Sequence, residues 1–369
     1  MNFDFSDALK QLQAEARRFL GERGTTRVAR AVLEGAEPYA WSLWQEMGKL
    51  GWLGAAVPEE YGGAGLGHEA LCVLAEEIGR AVAPVPFASS VCLATEAILR
   101  GGTEAQKRAW LPRLALGEVI GTLAWAEGAG NPDPRAIGAR VTGGRLSGGK
   151  WPVADGGIAH LSVVAARDER GDVVLVLADL RGEGVQRSDL QTVDPTRNHA
   201  RIEFARTPVE TLGGDGWDLL RQLLDGAAVL MAFEQIGGAA ASLAMATDFA
   251  KQRYAFGRPI GSFQAIKHKL ADVYIANELA RSNAYYGAWA LSRGAAELPL
   301  AAAAARVSAT DAFWLAAKEN IQTHGGMGFT WTADCHLFYR RAKLTSLALG
   351  SNAWWKNRLV GELERRNAA

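Results

Sequence analysis

Cysteine is scarce. Only Cys72, Cys92 and Cys335 occur in 369 residues, and no two stand at C-x-x-C spacing. That excludes a disulfide framework and a cysteine-based zinc site, and it makes a reducing cytoplasm the expected compartment. The six histidines show no ligand spacing, so no metal is expected. Charge imbalance is absent too: Lys plus Arg and Asp plus Glu each number 40. Net charge therefore gives no reason to expect a nucleic-acid or anionic-membrane partner. The opening residues MNFDFSD contain no basic segment and no apolar run, so no secretory signal is expected. The most apolar long stretch, 298–317, is interrupted by Arg306 and Asp311, which argues against a membrane span there.

What remains is an ordinary globular composition, 49% apolar and 22% charged, in a chain long enough for two or three structural units. Its texture changes twice. Residues 1–120 read as an N-terminal helical domain: Ser6 is placed to cap a helix with Leu9, Leu12, Ala16 and Phe19 on one face. Trp41, Leu43, Trp44, Met47 and Leu50 repeat the pattern. A glycine-rich turn region follows at 58–67, then a helix over 71–82 that Pro84 and Pro86 stop. Residues 121–213 hold short β-branched runs at 161–165, 173–177 and 201–204, with Gly143-Gly144, Gly148-Gly149 and Gly171 between or beside them. They predict a middle antiparallel β domain. Residues 214–369 return to helix: 219–253, 263–293, 298–323, and 333–365 with a break near Gly350. Long helices joined by short loops predict an antiparallel bundle, and the whole is an α+β arrangement.

Two segments carry chemistry. The first, RYAFGRPIGSFQ at 253–264, is a loop between long helices. Its arginines, phenylalanine and glutamine have the groups needed to grip a phosphate and an aromatic base, although an ordinary helix connection has the same composition. The second, IQTHGGMGF at 321–329, has consecutive glycines that let backbone N–H groups approach an anion; a glycine helix cap is the plain alternative.

Together these segments resemble the acyl-CoA dehydrogenase family, which shows R-x-x-F-G-x-P-I-x-x-F-Q followed by Q-x-x-G-G-x-G at about this separation. Gly51-Trp52, PEEYGG at 58–63, Gly65, Ala126-Glu127, LSGGK at 146–150 and YRRAK at 339–343 extend the likeness over nearly the whole chain. The resemblance implies helices, strands and a four-helix bundle, with FAD bound at a subunit interface. It also implies α,β-dehydrogenation of an acyl-CoA thioester, with electron-transfer flavoprotein as a further partner. A carboxylate takes the α-proton while a hydride leaves the β-carbon. Arg253, Phe256, Gln264, Gln322, Gly325 and Gly326 match the family's nucleotide-side residues, which reach the FAD of the neighbouring subunit.

The chain departs from the family where the base belongs. Leu349 stands at the usual glutamate position, and Ala227 at the alternative position on the helix before the arginine loop. Neither takes a proton. Asp225 is a displaced-base candidate, weighed against a solvated or capping carboxylate. Glu234 and His324 are weighed against structural hydrogen bonding, and Glu127 matches a glutamate whose role is usually structural. On the flavin-ring side, Ala126, Pro132, Pro152 and Ala154 replace the family's Thr, Ser, Trp and Thr. Trp151, next to Pro152, faces the other way on a strand. This pattern resembles the non-catalytic subunit of heteromeric steroid-degrading acyl-CoA dehydrogenases, a likeness that FEQIGG at 233–238 and Trp354-Trp355 share. The expected partners are an acyl-CoA with a bulky acyl group and a homologous subunit. A self-sufficient homomer, a non-enzymatic scaffold completing a partner's flavin site, and an oxygen-using relative on the same fold remain the alternatives.

Overall fold

The computed structural model describes residues 5–368; Met1 to Asp4 of the N-terminal stretch read above lie outside the described residues. The chain opens with α1 (Asp7–Glu22), α2 (Thr25–Leu33), α3 (Trp41–Lys49) and α4 (His68–Arg80). A short α5 (Phe87–Ser89) leads through a π-turn at Ser90–Thr95 into α6 (Glu96–Gly101) and α7 (Glu104–Ala115). Ser6 caps α1 as its position predicts, its hydroxyl accepting the Leu9 N–H at 3.3 Å. Thr103 and Gln106 form a reciprocal capping box at the start of α7.

The middle of the chain is one eight-stranded sheet: β1 (Gly121–Ala124), β2 (Arg140–Thr142), β3 (Arg145–Ala154), β4 (Leu161–Arg167), β5 (Val173–Asp179), β6 (Val185–Asp189), β7 (His199–Pro208) and β8 (Glu210–Thr211). The three expected runs fall inside β4, β5 and β7. The order is β6-β7-β3-β2-β4-β5-β8, with β1 beside β4. The expected antiparallel sheet is mixed. β1 pairs with β4 in parallel over Gly121–Ala124, and β2 meets β4 in parallel at Arg140 and Arg167. The physical reason is the long excursion from 125 to 160, which contains the β2–β3 hairpin and lets the chain return in the same direction.

Two long helices frame a small hairpin. They are α8 (Gly216–Gln252) and α9 (Gln264–Arg293), with β9 (Tyr254–Ala255) and β10 (Arg258–Pro259) between them. Then come α10 (Leu298–His324), a 3₁₀ turn at Gly325–Phe329, α11 (Cys335–Leu347) and α12 (Asn352–Ala368). By length and composition α8 could cross a membrane, but 78% of its most apolar window is buried inside the chain, as expected of a core helix. The most apolar window therefore lies in α8 and not at 298–317.

The residues cluster into two compact units. One comprises the segment up to Ala31, Cys72–Ala83 and the described residues from Ala228 onward; the other comprises Val32–Leu71 and Pro84–Ala227. In the first unit, α4 and α8 touch backbone to backbone. A Cβ on Gly79 would lie 1.9 Å from the Glu234 carbonyl oxygen, and one on Gly237 would lie 1.9 Å from that of Glu76. This explains why FEQIGG needs its first glycine inside a helix. The buried carboxylates Glu76 and Glu77 tie three helices together. They accept from Gln13 and Arg17 of α1, and Glu76 accepts both terminal nitrogens of Arg281 of α9 at 3.0 and 2.9 Å.

Candidate functional site

The 253–264 loop is a compact hairpin. Tyr254 pairs with Pro259 and Ala255 with Arg258, and the Ile260 N–H donates to the Arg253 carbonyl at 2.8 Å. Arg253 is thus fixed at its backbone at the foot of the turn. Phe256 sits at the tip with φ +52° and is 95% exposed. A bulky residue in the left-handed region is uncommon, so the fold tolerates local strain to hold a phenyl ring in solvent. Arg258 lies 4.1 Å from the Phe263 ring centre, and Phe256 meets that ring edge-on. Gln264 begins α9. Arg253, Phe256 and Gln264 are all exposed.

The second segment behaves as a helix end with space above it. Gly325 takes φ +58°, and its N–H donates to the Gln322 carbonyl, closing α10. That N–H is therefore committed to the cap. What Gly325 and Gly326 offer is room, since a Cβ on either would meet no atom within 4 Å. Gln322 is exposed beside them. His324 is a backbone-bonded histidine: its Nδ1 faces the Asn320 carbonyl at 2.8 Å, and its ring stacks on Phe249.

Leu349 lies in the turn between α11 and α12, 6% exposed and with φ +61°. Ala227 is buried on α8. Asp225 is buried on the same helix, but two residues correspond to a rotation of about 200°, so its carboxylate points away from the side where Ala227 stands. Glu234 Oε1 accepts from Arg341 at 3.1 Å with both side chains buried, which fits a structural role. Gln235, its neighbour in the FEQIGG run, accepts from Arg306, and its amide nitrogen donates to the Thr310 and Thr345 hydroxyls. Sequence reasoning passed over Arg306 as a site residue, although an arginine inside an alanine-rich helical run was a visible signal.

The residues matching the flavin-ring side are in the other unit. Ala126 and Pro132 are buried, Ala154 is half-buried and Pro152 is exposed. At Ala126 the carbonyl accepts the Trp151 N–H, and the Trp151 carbonyl accepts the Gly128 N–H. The Trp151 ring has Arg201 above it at 5.8 Å. Glu127 is structural: its carboxylate accepts the N–H groups of Gly138 and Ala139 and the Lys150 ammonium at 2.6 Å. Desolvation opposes its charge, but these donors prevail and hold its pKa below the ordinary 4.5. Tested against FAD, the exposed Arg253, Phe256, Gln264 and Gln322 with the open Gly325-Gly326 turn fit a nucleotide. The side chains at 126, 132, 152 and 154 supply no hydroxyl for the flavin ring, so the residues present do not fit that half of the cofactor. No group of three or more potential metal ligands occurs among the described residues.

Comparison with known proteins agrees with this geometry. Residues 6–118 match the acyl-CoA dehydrogenase N-terminal domain, and residues 214–362 match the acyl-CoA dehydrogenase C-terminal domain. The chain is 32% identical over 335 residues to the acyl-CoA dehydrogenase IpdE2 of Mycobacterium tuberculosis, covering 90% of each protein. It superposes on a chain of a variant steroid acyl-CoA dehydrogenase, Tcur3481-Tcur3483, with a TM-score of 0.89 and 32% identity, covering 98% of this chain and 99% of that one. A chain of the ChsE4-ChsE5 complex from Mycobacterium tuberculosis gives a TM-score of 0.90 at 27% identity, covering 99% of both.

Proposed function

The chain belongs to the acyl-CoA dehydrogenase family, whose cofactor is FAD, and from that premise we propose that it is the base-lacking subunit of a heteromeric enzyme. In this reading it lends Arg253, Phe256, Gln264, Gln322, Gly325 and Gly326 to the FAD of a homologous partner, and the partner carries the proton-abstracting carboxylate. Its likeness to a steroid acyl-CoA dehydrogenase supports a bulky acyl-CoA as substrate class, and electron-transfer flavoprotein as the electron acceptor follows from the family. Residues 1–120, 121–213 and 214–369 are proposed as the three family domains; the two domain matches end at 118 and begin at 214. A cytoplasmic location fits the few free thiols.

The observation that carries the proposal is Leu349: a buried aliphatic side chain, with no carboxylate, where the family resemblance puts the base. The chain's own residues on the nucleotide side bind and orient. FAD supplies the hydride-accepting chemistry when bound, and no step of that chemistry is assigned to this chain's own ring-side pocket. The test is purification of the chain alone and with a co-expressed homologue that carries the glutamate. Flavin absorbance and acyl-CoA oxidation are expected only with the partner. If the chain alone retains FAD and turns over an acyl-CoA, the heteromer reading fails, and loss of that activity in Asp225→Asn would establish a self-sufficient enzyme. Flavin retention with the partner but no turnover of any acyl-CoA would favour the scaffold.

A further inference from the structure

Arg306 is 1% exposed in the middle of α10, yet its hydrogen bonds go to another segment. One terminal nitrogen donates to the Thr345 carbonyl and, at 2.7 Å, to the Ala348 carbonyl; the other donates to Gln235 Oε1 at 2.8 Å. Thr345 lies in the last turn of α11, whose closing carbonyls have no partner within the helix. Ala348 is the residue at which the chain leaves that helix. The next carbonyl, that of Leu349, accepts the Trp355 indole N–H at 3.0 Å. Gln235 is itself buried and fixed through the Thr310 and Thr345 hydroxyls, so the guanidinium has little freedom. Desolvation pulls its pKa down and the charge of Glu234 opposes that pull, while the negative end of the α11 dipole favours a cation at this spot.

We propose that Arg306 is a positioning residue for the turn 348–351, which it clamps so that the side chain at position 349 is held in one direction. The clamp is expensive for a mere helix end. It buries a cation, leaves Nε without a partner among the described residues, and stabilises a leucine at φ +61° that an ordinary loop would relax. A turn so heavily determined keeps its shape whichever side chain stands at 349. The inference rests on the family reading only for the importance of position 349; the clamp itself concerns this chain alone.

The test uses the full chain in two preparations: one labelled with ¹⁵N-tryptophan, the Trp355 indole signal being assigned by Trp355→Phe, and one unlabelled, in which hydrogen–deuterium exchange of peptides covering 348–352 is followed by mass spectrometry. In Arg306→Met the Trp355 signal is expected to move, and the amides of 348–352 to exchange about tenfold faster, because a charge-assisted bond to the turn is lost. Arg306→Lys keeps the cation and a donor, so it should restore part of both effects. The indole of Trp44, which donates to the Gly117 carbonyl, should stay in place. Unchanged Trp355 signal and turn exchange in Arg306→Lys and Arg306→Met would overturn the proposal. So would a uniform shift of all indole signals, which marks general loosening. If Arg306→Met does not fold, Arg306→Lys alone decides by the same readouts. None of these requires flavin or turnover, so the clamp and the heteromer reading can fail separately.

Discussion

Glycine placement separates packing from binding at the scale of single residues. Gly237 stands where α8 meets α4, and its missing Cβ leaves room for the Glu76 carbonyl, a backbone atom that cannot swing aside. Gly237→Ala is therefore expected to destabilise the chain by at least about 2 kcal/mol, measured by urea denaturation. Gly326 has no atom within 4 Å of the same virtual carbon. Gly326→Ala should leave the denaturation midpoint within error while weakening retention of the nucleotide in the assembled complex. The pair of half-buried Glu127 and buried Lys150 gives a pH signature. The Glu127 pKa is depressed in the folded chain, so its stabilisation is present above 4.5 and is lost as pH falls through the lower folded value. In Glu127→Gln, Lys150 keeps a fully buried ammonium without its carboxylate, which costs on the order of 3 kcal/mol near neutrality. Denaturation of both proteins from pH 7 to pH 3 should show the difference between them shrinking towards acid; a constant difference would show that the carboxylate charge is not the stabilising feature.

Among elements, the hairpin between α8 and α9 is the one whose local rules are broken. Phe256 adopts a left-handed conformation and buries almost nothing. Phe256→Gly removes the left-handed penalty, roughly 1–2 kcal/mol, and adds a backbone-entropy cost of about 0.5–1 kcal/mol. Thermal unfolding should thus be unchanged or slightly raised, while FAD occupancy of the heteromer falls. A large loss of stability would mean that the ring serves the fold. Such elements also show what the sequence made legible. Ala- and Leu-rich runs bounded by glycine and proline located α8, α9 and α10 to within a few residues, because helix propensity and breakers are local signals. Strand β3 was harder to read, because Gly148 and Gly149 have the composition of a turn. In the sheet they sit at a register shift where a Cβ on Gly148 would lie 2.8 Å from Ala139. The nucleotide-side residues were legible as a motif. The Arg306 clamp was not, since its hydrogen bonds to the turn join residues about forty positions apart and end on backbone carbonyls, which no side-chain pattern encodes.

For the molecule as a whole, the distribution of exposed apolar side chains bears on assembly. Phe256, Tyr274, Ile275, Leu279, Met327, Phe329 and Trp331 are all at least half exposed, and all lie in the hairpin, in α9 or in the segment that follows α10. An uncovered set of this kind disfavours a lone chain in water. The isolated protein is therefore expected to self-associate with rising concentration in sedimentation velocity, and the homologous partner should replace that association with a single defined species. Flavin content then distinguishes the assemblies. If this chain contributes only the nucleotide-side residues, and Ala126, Pro132, Pro152 and Ala154 leave its own ring-side pocket without donors, the purified complex should contain one FAD for each partner chain and none for each copy of this chain. Quantifying released flavin against the two polypeptides measures the ratio directly. One FAD per chain of both kinds would mean that this pocket holds its own isoalloxazine despite those substitutions, and the division of labour proposed for the two subunits would have to be abandoned.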